Sequence, residues 1–101
     1  MNDKSVNIIV LNWNQKKLSL ECLNSLQKTT YKNKHIVFVD NGSDDGSVDA
    51  VHNLFPKVEI IRSKNNLGYA GGNNFGFRST KNKADYTIFI NNDTYVDPSF
   101  I

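Results

Sequence analysis

The sequence predicts an α/β fold in which an open, parallel β-sheet carries helices on both faces. Short apolar runs at residues 6–11, 35–39, 58–61 and 86–90 are rich in β-branched side chains and continuous rather than alternating, as strands covered on two sides require. Between them lie segments with apolar residues at helical spacing, long enough for crossover connections. Polar turns, not tight hairpin dipeptides, follow the strands. Strand, helix, strand repeated in this way implies parallel βαβ units with right-handed crossovers; the order expected across the sheet is third, second, first, fourth.

The first strand, 6–11, ends at Asn12-Trp13-Asn14, which can cap the next element. From Gln15 to about Thr29, Leu18, Cys22, Leu23 and Leu26 mark one face of an amphipathic helix. The second strand stops at the turn Asp40-Asn41-Gly42-Ser43-Asp44-Asp45-Gly46. A short helix from Ser47 to Phe55 follows and Pro56 ends it. After the third strand comes a stretch containing Gly68, Gly71, Gly72 and Gly76, backbone-permissive and leading into a helix over 71–79. The fourth run, 86–90, reads as a buried strand delivering Asn91-Asn92-Asp93-Thr94. Asp97-Pro98 then resembles the cap and first turn of another helix.

At 101 residues the chain is a single domain, 1–101. With 39% apolar and 22% charged residues it is neither disordered nor fibrous. A net charge of +2 spread over scattered lysines is no nucleic-acid footprint. No apolar run approaches the roughly 18 residues that span a bilayer, and Met1-Asn2-Asp3-Lys4 leads straight into a strand rather than a signal sequence. The expectation is a cytoplasmic chain. Cys22, the single cysteine, fits a reducing compartment as a small apolar residue on a helix face.

A parallel sheet gathers its strand C-termini along one edge, so residues 12–14, 40–45 and 91–93 should meet in space. Several chemistries are excluded there. The first strand lacks the Gly-x-Gly-x-x-Gly of dinucleotide binding, and no Gly-Lys-Ser/Thr follows a glycine-rich turn. Asn41, Ser43, Asp45 and Gly46 imitate a calcium loop, but His52 stands where its closing glutamate belongs. The sequons at Asn41 and Asn92 are chance matches in a cytoplasmic chain.

Four segments, in order and spacing, resemble the nucleotide-binding half of family-2 glycosyltransferases of the Rossmann-like GT-A fold. They are residues 6–14, 39–47, 65–76 and 90–94. The likeness covers essentially the whole chain and is greatest to the bacterial branch that includes rhamnosyltransferase-like enzymes of surface polysaccharide synthesis.

The resemblance implies a donor site for a nucleotide-diphosphate sugar of UDP or dTDP type. In it, Asp40 accepts the nucleobase imide N–H or else caps its own turn. Leu11, Asn12 and Trp13 lie against base and ribose, although Trp13 suits core packing equally well. Asn73 bonds donor phosphate or sugar, or serves as a loop and cap residue. Asn91-Asn92-Asp93 replaces the family's Asp-x-Asp. Asp93 keeps the carboxylate for Mg²⁺ or Mn²⁺, and Asn92 points toward ribose hydroxyls. The implied reaction is inverting transfer of sugar to a glycan acceptor, whose general base is expected beyond Ile101 in an acceptor-binding half. The chain thus reads as an N-terminal piece, inactive alone, of a protein peripheral to the inner membrane face. A non-catalytic nucleotide-binding module and a purely structural α/β domain are the other readings. With its fourth strand uncovered, the chain is expected to self-associate through that sheet edge.

Overall fold

A computed structural model of the chain describes residues 4–99. Its elements are β1 (Val6–Asn12), α1 (Lys16–Gln27), β2 (Lys34–Asp40), α2 (Ser47–Leu54), β3 (Glu59–Arg62), α3 (Gly68–Ser79) and β4 (Tyr86–Asn91). The strands form one sheet in the expected order β3-β2-β1-β4, every pair parallel. Register keeps the strand ends level, with Asn12 opposite Asp40 and Leu11 opposite Asn91.

β1 is central, and its alternating side chains supply both cores. On one face Val6, Ile8 and Val10 pack with Ile36 and Phe38 of β2, Cys22, Leu23 and Leu26 of α1, and Val51 of α2. On the other, Ile9 joins Val37, Val39 and Ile61, against which Leu11 and Phe75 of α3 pack. Helices therefore cover both faces, as the continuous apolar strands demand.

The glycine-rich stretch departs from expectation. α3 begins at Gly68, not Gly71, because Gly68 takes a φ of 78° and turns the chain directly into the helix. Gly72 and Gly76 lie within the helix as expected, and both are contact residues. A Cβ at Gly72 would stand 2.7 Å from Leu11 Cδ1 and 2.9 Å from Asn41 Nδ2, and one at Gly76 would overlap Val39 Cγ2. Their missing side chains set how closely α3 lies on β1 and β2.

β4 also differs. The sequence suggested a buried strand, yet of its residues only Ile90 is buried, and Tyr86 and Phe89 are about half exposed. Pairing only with β1 leaves it an edge, and the ring of Phe89 meets that of Phe77 on α3 with centroids 6.3 Å apart. Past it, Asp97 Oδ1 accepts the Ser99 N–H at 2.9 Å, a turn suited to starting a helix. The body of that expected helix lies outside the described residues.

At the sheet's opposite edge Glu59 Oε1 accepts from Thr80 Oγ at 2.7 Å and lies 2.8 Å from His35 Nε2, while Oε2 accepts the Lys81 N–H at 3.1 Å. Burial alone would raise the Glu59 pKa, but these donors outweigh it and hold it below the ordinary 4.5. A depressed folded-state value adds stability above the unfolded pKa that is lost as pH falls through the folded one. Glu59→Gln is expected to flatten the acid limb of a stability-versus-pH curve below about pH 4.5, measured by urea unfolding. An unchanged limb would discount the cluster. Gly76→Ala should cost about 2 kcal/mol through overpacking against Val39, and an unshifted denaturation midpoint would show that α3 can move away freely.

Candidate functional site

The polar ends of β1, β2 and β4 meet at the C-terminal edge of the sheet around a cavity of about 570 Å³. Trp13 and Tyr69 line it, 50% and 60% exposed. Asn14, Gln15, Asn41, Asn66, Asn91 and Asn92 supply amide side chains, and Asp93 is the one carboxylate among the lining residues.

A buried hydrogen-bond network beneath the cavity fixes these groups. Asn12, 1% exposed, donates from Nδ2 to Asp40 Oδ1 at 2.9 Å and to Ser43 Oγ at 3.1 Å. Its Oδ1 accepts the Ser19 hydroxyl at 2.8 Å and the Gln15 N–H at 3.2 Å. Asp40 Oδ2 accepts the Ser43 N–H at 2.9 Å. Asn92 Nδ2 donates to Gln15 Oε1 and Ser19 Oγ, both at 3.0 Å. Asn14, at a φ of 51°, lends its Oδ1 to the Asp44 N–H at 2.9 Å, a left-handed conformation asparagine tolerates.

The first helix is positioned by the same turns. Asn12, in the expected capping segment, accepts the Gln15 N–H just ahead of the helix at 3.2 Å through Oδ1, and the distant Asp45 Oδ2 accepts the Lys16 N–H at 3.0 Å. Burial raises the Asp45 pKa slightly, yet its hydrogen bonds from Ser47 and Lys16 bring the net shift downward. Gln15, Ser19 and Cys22 are spaced to share one helix face, and all three reach the β4 turn, Cys22 by an Sγ contact of 3.8 Å to the Asn91 carbonyl. Burial, with a smaller contribution from the Asp93 charge, pushes the Cys22 thiol up to about 11.

Asn41 ties the α3 entry to β2. Its Nδ2 donates to Asn66 Oδ1 and the Gly68 carbonyl, both at 3.1 Å, and its Oδ1 accepts the Leu67 N–H at 3.2 Å.

Of the residues expected in a donor site, Leu11, Trp13, Asn92 and Asp93 line the cavity. Trp13 is thus a cleft residue rather than a core one. Asn12 and Asp40 do not line it. Asp40 is fully buried, with both oxygens engaged by Asn12 and Ser43, so here it takes the turn-capping role. Asn73 is likewise absent from the cavity lining. It is buried within α3, and its Oδ1 has no hydrogen-bond partner among the described residues.

Asn14, Asn41 and Asn91 also line the cavity; they lie in the strand-end turns expected to meet there, although no role was assigned to them individually. Sequence reasoning missed Gln15, Asn66 and Tyr69. Gln15 looked like an ordinary first residue of an amphipathic helix, and Tyr69 like part of a permissive loop.

Among the described residues no group of three or more His, Cys, Asp or Glu side chains could hold a metal alone. Asp93, exposed on the cavity and flanked by the amides of Asn91 and Asn92, offers an oxygen set suited to a hard cation that keeps water or phosphate ligands. The residues present fit such an ion as one shared with a ligand.

The model of glycosyl transferase family 2 matches residues 7–101. Glycosyltransferase GlyG of Streptococcus pneumoniae serotype 4 is 29% identical over 95% of this chain and 32% of its own. An uncharacterized glycosyltransferase of Haemophilus influenzae is 33% identical over 87% and 29%. The chain therefore spans about a third of the length of these curated relatives. Among solved structures, S. aureus TarS 1-349 in complex with UDP superposes with a TM-score of 0.81 at 24% identity, covering 93% of this chain and 29% of that one. A mannosyltransferase from Pyrobaculum calidifontis in complex with GDP-Man and Mn²⁺ does so at 0.81 and 22%, covering 91% and 28%. At these identities the likeness establishes a shared fold.

Proposed function

The chain belongs to glycosyl transferase family 2, and from that premise we propose that it forms the donor-binding part of an inverting glycosyltransferase, taking a nucleotide-diphosphate sugar of UDP or dTDP type. The observation that carries this reading is the single cavity in which two exposed aromatic side chains, a set of neutral amides and one carboxylate converge. Each matches a part of such a donor. Trp13 and Tyr69 offer apolar faces on which a base can stack. The amides both donate and accept, as ribose and sugar hydroxyls require. Asp93 would hold Mg²⁺ or Mn²⁺ together with ligand oxygens and water. Such an ion, when bound, offsets charge on the departing diphosphate. UDP and GDP-Man with Mn²⁺ in the two structural neighbours support the donor class.

The acceptor hydroxyl needs a base, and among the described residues the cavity lining holds no histidine and no carboxylate other than Asp93. We assign that base, and the glycan acceptor site, to sequence outside this chain, which alone binds donor without transferring it. The order and spacing of the four motif segments lead us to place the chain in the rhamnosyltransferase-like branch. The lone buried thiol of Cys22 supports a cytoplasmic location, and no helix among the described residues is long and apolar enough to cross a membrane.

Calorimetric titration with UDP and dTDP, with and without MnCl₂, tests the reading. Binding of one nucleotide, tightened by Mn²⁺, is expected, and Asp93→Ala should weaken the Mn²⁺-dependent part about tenfold or more. No heat with either nucleotide would sink the donor site. Metal dependence surviving Asp93→Ala would sink the ion's proposed ligand.

The free edge of β4, with Phe77, Tyr86 and Phe89 exposed beside it, leads us to propose self-association of this chain through that edge. Light scattering should show mass rising with concentration, and Phe89→Lys should return the chain to a monomer. A wild-type monomer at every concentration would refute it.

A further inference from the structure

An asparagine amide can face a cavity with its oxygen or its nitrogen, and at Asn92 the buried bonds select one. We propose that Asp40 acts on the cleft as a positioning residue through Asn12 and Ser19, holding Asn92 so that its Oδ1 stands beside Asp93 as an acceptor for a ribose hydroxyl. The proposal rests on the donor-binding reading and deepens it.

The direction of each bond follows from the one before. Asp40 accepts at both oxygens, from Asn12 Nδ2 and from the Ser43 N–H, so the Asn12 nitrogen must turn toward β2. The Asn12 oxygen is then left facing α1, where it accepts the Ser19 hydroxyl at 2.8 Å. Ser19 has one proton, and with it given to Asn12 the oxygen can only accept from Asn92. Asn92 must therefore turn its nitrogen inward, where it meets Ser19 Oγ and Gln15 Oε1 at 3.0 Å each. That leaves Asn92 Oδ1 for the cavity the residue lines. Asn12, Ser19 and Asp40 are at most 1% exposed, so solvent does not compete for the bonds of the intact network. If Asn92 turned over, it would set an –NH₂ group next to Asp93, where an accepting oxygen serves the hydroxyl better.

The test compares UDP with 2′,3′-dideoxy-UDP by calorimetry in MnCl₂. Wild type should prefer UDP, and Ser19→Ala should reduce that preference about fivefold, the range of one neutral hydrogen bond. In an Asn92→Asp background, whose carboxylate shows an oxygen either way it turns, Ser19→Ala should leave the preference unchanged. Wild type binding both ligands equally would overturn the proposal. So would Ser19→Ala weakening both by one factor, leaving both unaltered, or acting equally in the Asn92→Asp background. Should Ser19→Ala fail to fold, NMR of the wild type decides. The Asn92 side-chain NH₂ signals, assigned by their loss in Asn92→Asp, should exchange slowly with solvent before and after UDP is added, and fast exchange would overturn the inference. If wild type binds neither nucleotide, the donor-binding reading itself falls, a different result from binding without the relay.

Discussion

A side-chain amide removed from water must find partners for its two N–H bonds and its carbonyl oxygen, or cost the fold a desolvation penalty on the order of 1–3 kcal/mol for each buried group left bare. Asn12 meets that demand with groups from three other parts of the chain: Asp40 and Ser43 after β2, Gln15 and Ser19 on α1, and, at 3.5 Å, the Asn92 amide after β4. Because β1 is the middle strand of these three, no other position could reach all of them. The strand ends are level by register, but the bonds of Asn12 turn a row of strand ends into a fixed cleft. The helix that packs on the larger core is anchored at its first turn by the same residue, so core packing and site geometry are not separable here.

The chemistry of the cleft follows from its choice of amides over charges. Amides can be buried and cross-linked at a far lower cost than carboxylates or ammonium groups, and they give the cavity wall a dense set of donors and acceptors without a strong field. One exposed carboxylate, Asp93, then supplies the local charge. A cation held there must share its coordination with the ligand it accompanies, since no second acidic residue lines the cavity.

The parallel strands and the placement of helices on both faces were legible in the sequence because continuous apolar runs and crossover-length spacers leave few alternatives. Asp93 was legible because a carboxylate at the end of a strand lands on the ligand edge of any parallel sheet. The close contacts of Gly72 and Gly76 were not, since only the tertiary structure shows that Leu11, Asn41 and Val39 occupy the space beside them. Asp40 was read as either a nucleobase acceptor or a cap of its own turn. Its engagement with Asn12 and Ser43 depends on partners that only tertiary contact brings within reach. Gln15 and Ser19 escaped for the same reason, being polar residues on a helix whose apolar positions alone carry periodicity.

β4 is held to β1 by side-chain bonds at both ends. Ser5 pairs with Asp85 and Asn7 with Asn82 at one end, and Asn92 meets Asn12 and Ser19 at the other, all between residues 73 to 80 apart in sequence. Closing so long a loop is slow and entropically costly compared with forming the local βαβ units of β1, β2 and β3. Detaching β4 would erase the site while leaving three paired strands intact, and a ligand that bridges Asp93 to the β1 and β2 turns would oppose that detachment in proportion to its affinity.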